Sequence, residues 1–153
     1  MNLSLNIWLT ILLAIFFSTH SYAHHLTVSN ARIHEGPPSQ KVLAAYLTLN
    51  NNSDSVVEVV TLESPLFERI EIHQTIIEND VAKMQQIDAL IIEPHSMLEL
   101  SPGAQHLMMI SPTIRITAGT TVPVSFTLAD GNRFELDIPV VKSHNDHTHH
   151  HHH

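Results

Sequence analysis

The apolar residues of this chain come in short runs that alternate with polar ones, and each run stops at a turn-forming cluster. That pattern leaves room for little except β-structure. In Phe67–His73, Ile70 and Ile72 point to one side of an extended chain while Arg69, Glu71 and His73 point to the other, because successive side chains of a strand face opposite ways. Phe134, Leu136, Ile138 and Val140 share a face in the same manner. Between the runs lie Asn50-Asn51-Asn52-Ser53-Asp54-Ser55, Glu78-Asn79-Asp80, Ser101-Pro102-Gly103 and Ala129-Asp130-Gly131-Asn132. Such residues bond to their own backbone or accept left-handed conformations, so they end strands. The expected strands are Leu26–Ile33, Val42–Leu49, Val56–Leu62, Phe67–His73, Val81–Ile87, Met97–Leu100, Ala104–Ile110, Thr121–Leu128 and Arg133–Val141. About nine short strands at intervals of roughly 8–12 residues predict an all-β sandwich or barrel. No segment holds a helical period, and no repeat or internal boundary divides the body of the chain.

The first 23 residues stand apart. Met1–Ala23 contains no Asp, Glu, Lys or Arg, Ile7–Phe17 is apolar apart from Thr10, and Ser21-Tyr22-Ala23 fits the small-x-small pattern of a cleavage site. The apolar run is short beside the roughly 20 residues that a membrane span needs. The reading is a signal peptide over 1–23, a β-domain over 24–143 and a His-rich tail over 144–153, in an exported, periplasmic protein with no membrane span after cleavage. The 153 residues, 43% of them hydrophobic, suffice for one packed domain. Seven Lys and Arg against fifteen Asp and Glu give a net charge of −8, which argues against a nucleic-acid surface and suits docking to a basic partner patch. The absence of cysteine excludes disulfides, thiolate metal sites, cysteine nucleophiles and iron–sulfur clusters.

The remaining chemistry belongs to His, Met and carboxylates. The sequence has no G-x-S-x-G, no H-E-x-x-H and no Gly-rich phosphate loop. His106 and Met108, two apart on an expected strand, project together, with Leu107 and Met109 on the opposite side. A hairpin turning at Asn79-Asp80 brings Met84 opposite residues in the mid-seventies, within reach of His73. If the Ala104–Ile110 strand lies alongside, two imidazoles and two thioethers converge. Thioethers are soft, neutral ligands that select Cu(I), and without a thiolate the set cannot form a blue-copper electron-transfer centre. Glu71 shares the face of His73; it is either a carboxylate that orients the imidazole or an ordinary strand charge. Met109 and Met97 are expected in the core, and His34 and His95 in loops.

The spacing His73-x10-Met84-x21-His106-x-Met108 resembles the metal motif of the periplasmic copper chaperones called PCuAC. The resemblance runs over about residues 26–141 and includes Ala44-Ala45-Tyr46-Leu47-Thr48-Leu49-Asn50-Asn51, Glu71-Ile72-His73, Lys83-Met84 and Pro102-Gly103-Ala104-Gln105-His106-Leu107-Met108. It implies a cupredoxin-like β-sandwich binding Cu(I) near one surface through His73, Met84, His106 and Met108. It also implies delivery of copper for assembly of the dinuclear copper site of cytochrome c oxidase, with the copper-bearing oxidase subunit or Sco-like copper proteins as partners. The chain departs from the family where Gln74 follows His73, a place some members fill with Met, and at Asn30-Ala31-Arg32, where an aromatic is common.

Two further histidine groups offer secondary metal sites. His24 and His25 become N-terminal on cleavage, and an α-amine beside an imidazole can chelate Cu(II). The tail holds His144, His147, His149, His150, His151, His152 and His153. Its irregular start and terminal run of five differ from the uniform six of a purification tag, so it reads as a native metal-gathering segment for Cu(II). The main reading is therefore a non-enzymatic copper chaperone. The alternatives are a copper storage or resistance protein that relies on the tail and, third, an oxidative copper enzyme that uses His24.

Overall fold

The structure, a computed structural model, describes residues 26–143. The expected signal peptide, His24, His25 and the tail from His144 lie outside the described residues. Ten strands and no helices make up this region: β1 Leu26–His34, β2 Val42–Asn51, β3 Val57–Glu63, β4 Phe67–Glu78, β5 Val81–Ile87, β6 Leu90–Ile92, β7 Ser96–Leu100, β8 Gln105–Pro112, β9 Thr121–Leu128 and β10 Arg133–Val141. The additional strand is β6, three residues too short to show an alternating pattern. β4 also runs past the expected end at His73 to Glu78, which places His73 in mid-strand.

The strand order is β5-β4-β8-β2-β1-β10-β9-β3-β6, with β7 also paired to β2. All pairings are antiparallel except a short parallel contact in which Ile33 meets Val140 and His34 meets Val141. That contact joins a sheet built on β5, β4, β8, β2 and β1 to one built on β10, β9, β3 and β6. Leu47, Leu49, Ile72, Leu107 and Met109 from the first sheet and Val59, Val122, Val124, Phe126 and Ile138 from the second form a single buried cluster. The inner faces of two sheets therefore enclose the core of a sandwich. Phe126 and Phe134 stack within the second sheet at 4.8 Å.

Turn chemistry sets the register near the site. Asn79 and Asp80 both have positive φ, 52° and 62°, as a two-residue hairpin turn of the favoured twist requires. The turn pairs Glu78 with Val81 and fixes every later pair of β4 and β5. At the far end of β2, buried Asn51 accepts from the Ser53 N–H (3.0 Å) and shares its amide hydrogens among the carbonyls of Ser55, Ile92 and Glu93 at 2.7–3.1 Å. It thereby ties β2 to β6 through groups that would otherwise be buried without partners.

Candidate metal centre

Three neighbouring strands bring the expected ligands onto one face. β4 lies between β5 and β8. Across β4 and β8, His73 stands directly opposite His106, and Glu71 opposite Met108. Across β4 and β5, Thr75 stands opposite Met84, while Gln86 faces His73. Met84 and His73 are thus diagonal neighbours, a relation of about 7–8 Å that long side chains bridge. By strand alternation Glu71, His73, Thr75, Met84, His106 and Met108 all leave the same side of the sheet. It is the outer side, since Ile72, Leu107 and Met109 fill the core.

The two imidazoles are adjacent, with ring centroids 6.1 Å apart and planes inclined by 36°. A metal–nitrogen bond of about 2 Å on each side, plus the radius of each ring, spans at most roughly 6 Å, so the pair stands at the outer limit for sharing one ion and a four-coordinate ion would draw the rings closer. Hydrogen bonds assign the protons. His73 Nε2 lies 2.9 Å from Glu71 Oε2. The carboxylate can only accept, so Nε2 carries the hydrogen and Nδ1 keeps its lone pair. That Nδ1 is buried and has no hydrogen-bond partner. His106 does the reverse: its Nδ1 donates to the Ala104 carbonyl at 3.1 Å, leaving Nε2 as the free lone pair. An unpaired buried polar atom costs about 1–3 kcal/mol, and a bound cation would relieve it. His73 Nδ1 and His106 Nε2 are therefore the two ring nitrogens with no hydrogen to donate, and either could serve a metal.

A chain of alternate residues on β4 holds His73 in place. Arg69 Nε donates to Glu71 Oε1 at 2.7 Å, and the other carboxylate oxygen takes the His73 hydrogen. The hydrogen bonds from Arg69 and then His73 hold the Glu71 carboxyl below the usual carboxylate range. Of the two readings of Glu71, the geometry selects the one that orients the imidazole.

Met84, His106 and Met108 line a depression of about 330 Å³ whose walls include Ala44, Tyr46 and Thr75. His106 is only 6% exposed, whereas Met84, on the edge strand, is 66% exposed. The depression is thus closed on the His106 side and open on the Met84 side. Tyr46 and Ala44 belong to a segment of the family resemblance, but the sequence does not place them at the site. Both lie on β2 with the alternation that puts them on the outer face, but only the pairing of Ala44 with Met108 shows that β2 borders β8 here. Burial pushes the Tyr46 phenol above its ordinary pKa, against the opposing pull of Arg32. The phenol is therefore neutral at neutral pH and forms a wall, not an anionic ligand. The Arg32 guanidinium lies 5.3 Å from its ring centroid, and His34 meets it edge-on at 5.2 Å.

Two expectations are corrected. His34 is the last residue of β1 and not a loop residue, because β1 continues one residue further to pair with Val141. Met97 is not in the core but 64% exposed, since Leu98 and Leu100 supply the inward side chains of β7. It pairs with Asn50, four residues along β2 from Tyr46 and so about 13 Å from the nearest wall of the depression. Met109 is fully buried and His95 sits in a turn against Asp54, both as expected. Among the described residues no three His, Cys, Asp or Glu side chains gather into a metal site. What accompanies the imidazole pair is sulfur.

Residues 26–140 match the LpqE-like lipoprotein family. The chain belongs to that family. Its fold is also that of PCuAC domains. The copper-bound PCuAC domain from PmoF2 superposes with a TM-score of 0.67 at 13% identity, over 78% of this chain and 94% of that one. DR1885 from Deinococcus radiodurans superposes at 0.63 with 28% identity, over 80% of this chain and 82% of that one, and its Cu(I) form matches equally well at 26%. The protein RP573 of Rickettsia prowazekii is 31% identical over 98 residues, 63% of this chain. The chain covers 54% of the length of that relative. No helix among the described residues is long and apolar enough to cross a membrane.

Proposed function

We propose that this LpqE-like protein is an exported, periplasmic copper chaperone that binds Cu(I) through His73 Nδ1, Met84, His106 Nε2 and Met108 and passes it on. The observation that carries the reading is the orphaned lone pair of His73, buried beside a second imidazole with a free nitrogen, on a face that also bears two thioethers. Similarity to a protein solved with Cu(I) supports the same cargo. All four donors are neutral, so the ion keeps its single positive charge, and the Glu71 carboxylate behind His73 offsets part of it. Soft sulfur favours Cu(I) over Cu(II) and over hard ions.

Release follows from the asymmetry of exposure. Met84 is the ligand nearest solvent and the easiest to displace. An incoming thiolate binds Cu(I) more strongly than a thioether does, so exchange begins at Met84 and ends at the closed side, with His106. The ion does not change oxidation state and no covalent bond of the protein is made or broken. The acceptor of this reading is the dinuclear copper site of cytochrome c oxidase, reached directly or by way of a Sco-like protein. Storage of Cu(II) on the tail histidines is the second reading, favoured by seven His among the last ten residues.

X-ray absorption on protein lacking His144–His153 and loaded with one equivalent of Cu(I) tests the site. The expected first shell mixes two nitrogen and two sulfur scatterers; a shell of nitrogen and oxygen alone would refute the assignment. Loss of most bound copper with the tail would favour storage instead. A Glu71→Ala variant tests the orienting role. Without its acceptor, His73 loses the bond that fixes its tautomer, and Cu(I) affinity should fall about 10–100-fold, the usual range for such supporting groups. Competition against a chromophoric Cu(I) chelator reads that change, and an unaltered affinity would reduce Glu71 to a bystander.

A further inference from the structure

Beside the metal depression, and sharing Gln40 and Leu43 with it, lies a second cleft of about 650 Å³. It opens between the loop before β2 and the loop after β8. Leu43, Ile114 and Ile116 give it an apolar lining, Lys41 comes from the first loop and Arg115 from the second, and no Asp or Glu lines it. Its volume falls within the range of ligand-binding clefts.

Charge makes this cleft exceptional. The chain carries −8 overall, and most of its cations are already engaged: Arg69 with Glu68 and Glu71, Lys83 with Glu78, Arg133 with Glu63, and Arg32 over Tyr46. Lys41, Arg115 and Lys142 have no ion-pair partner among the described residues, and the first two line the same cleft. Ile114 is also 56% exposed, an apolar surface beside an unpaired guanidinium. The walls are held by short contacts. The Ser111 N–H donates to the Lys41 carbonyl at 2.7 Å. A Cβ on Gly36 would come within 2.5 Å of Gln40 Oε1 and 2.7 Å of Leu43 Cδ2, so glycine lets the first loop press onto the partition between cleft and depression.

We infer that this cleft docks an extended acidic segment of a partner protein, with carboxylates on Lys41 and Arg115 and apolar side chains between them. Two cations from two different loops, with Leu43, Ile114 and Ile116 in the same lining, match a segment whose carboxylates flank hydrophobic residues. Elsewhere the acidic surface repels such a partner, so attraction here also fixes its orientation. The occupant's being a copper partner rests on the reading above. Anchored in this cleft, it would lie against the partition and present its own ligands to Met84 and Met108.

The test uses copper-free, 15N-labelled full-length protein, so its outcome is independent of copper binding. The probe is the peptide acetyl-Asp-Val-Leu-Asp-amide, compared with its Asn counterpart. The acidic peptide is expected to shift the amide resonances of Lys41, Ile114 and Arg115, with at least tenfold weaker binding for the Asn form and for K41E/R115E protein. Cu(I) affinity of K41E/R115E should equal that of the parent, which separates this proposal from the assignment of the metal site. Equal shifts from both peptides, shifts confined to other surfaces, or no shifts at all would overturn it. Binding seen only once His144–His153 is removed would identify the protein's own tail as the occupant and overturn it equally.

Discussion

A Met84→Ala/Met108→Ala double variant is expected to lose tight Cu(I) binding while remaining folded. The prediction rests on where the two side chains stand. Met84 lies on an edge strand with most of its surface in water, so truncating it removes little packing. Met108 sits on the outer face between Glu71 and Ala44, half-buried at the wall of the depression. Substitutions of this kind, away from the core, usually change stability by about 0.5 kcal/mol, and somewhat more where burial is partial. The effect on the metal is of another order. Removing both thioethers leaves two imidazoles, a set that no longer discriminates for Cu(I). The affinity loss should exceed the roughly 100-fold upper range seen for groups that only support a ligand. Chelator competition in protein lacking His144–His153 measures it, and circular dichroism confirms the fold. Retention of the parent affinity would remove both methionines from the site and leave the His73–His106 pair to be explained otherwise.

The parts of this arrangement legible in the sequence are those governed by local rules. Alternation put Arg69, Glu71 and His73 on one face, and His106 with Met108 on another, before any strand was paired. Asn79-Asp80 announced the hairpin that sets Met84 opposite Thr75. What could not be read is the lateral order of strands. Nothing in Gln105–Pro112 says that it lies between β4 and β2, and only that order turns two separate His-containing strands into the facing pair His73–His106. The same gap hid Tyr46 and Ala44, whose side chains become walls only because β2 borders β8. Met97 lies outside the core, which the sequence does not show for a related reason: a five-residue strand is too short for its inner face to be recognised without its neighbours. The cleft holding Lys41 and Arg115 is more distant still from local rules, since it joins loops some seventy residues apart in sequence.

Met109 provides the sharpest contrast to Met108, one residue away. It is fully buried, and across the ladder it stands between Ile70 on β4 and Leu43 on β2. Met109→Ala removes core packing and leaves a cavity, at a cost of about 2–5 kcal/mol. For a domain of this size that lowers the melting temperature by roughly 10–20 °C. The ligand face is untouched, so the folded variant should bind Cu(I) with an affinity within a few-fold of the parent. Ligand binding stabilises the native state by RT ln(1 + [L]/Kd), about 4 kcal/mol at a thousandfold excess over Kd. The two kinds of variant must therefore separate in one measurement, melting with and without buffered Cu(I). Met109→Ala should start lower and gain nearly the same increment as the parent. Met84→Ala/Met108→Ala should start near the parent and gain little. A Met109→Ala protein that melts normally but fails to respond to copper would reverse the two faces of β8, and with them the orientation of every ligand assigned here.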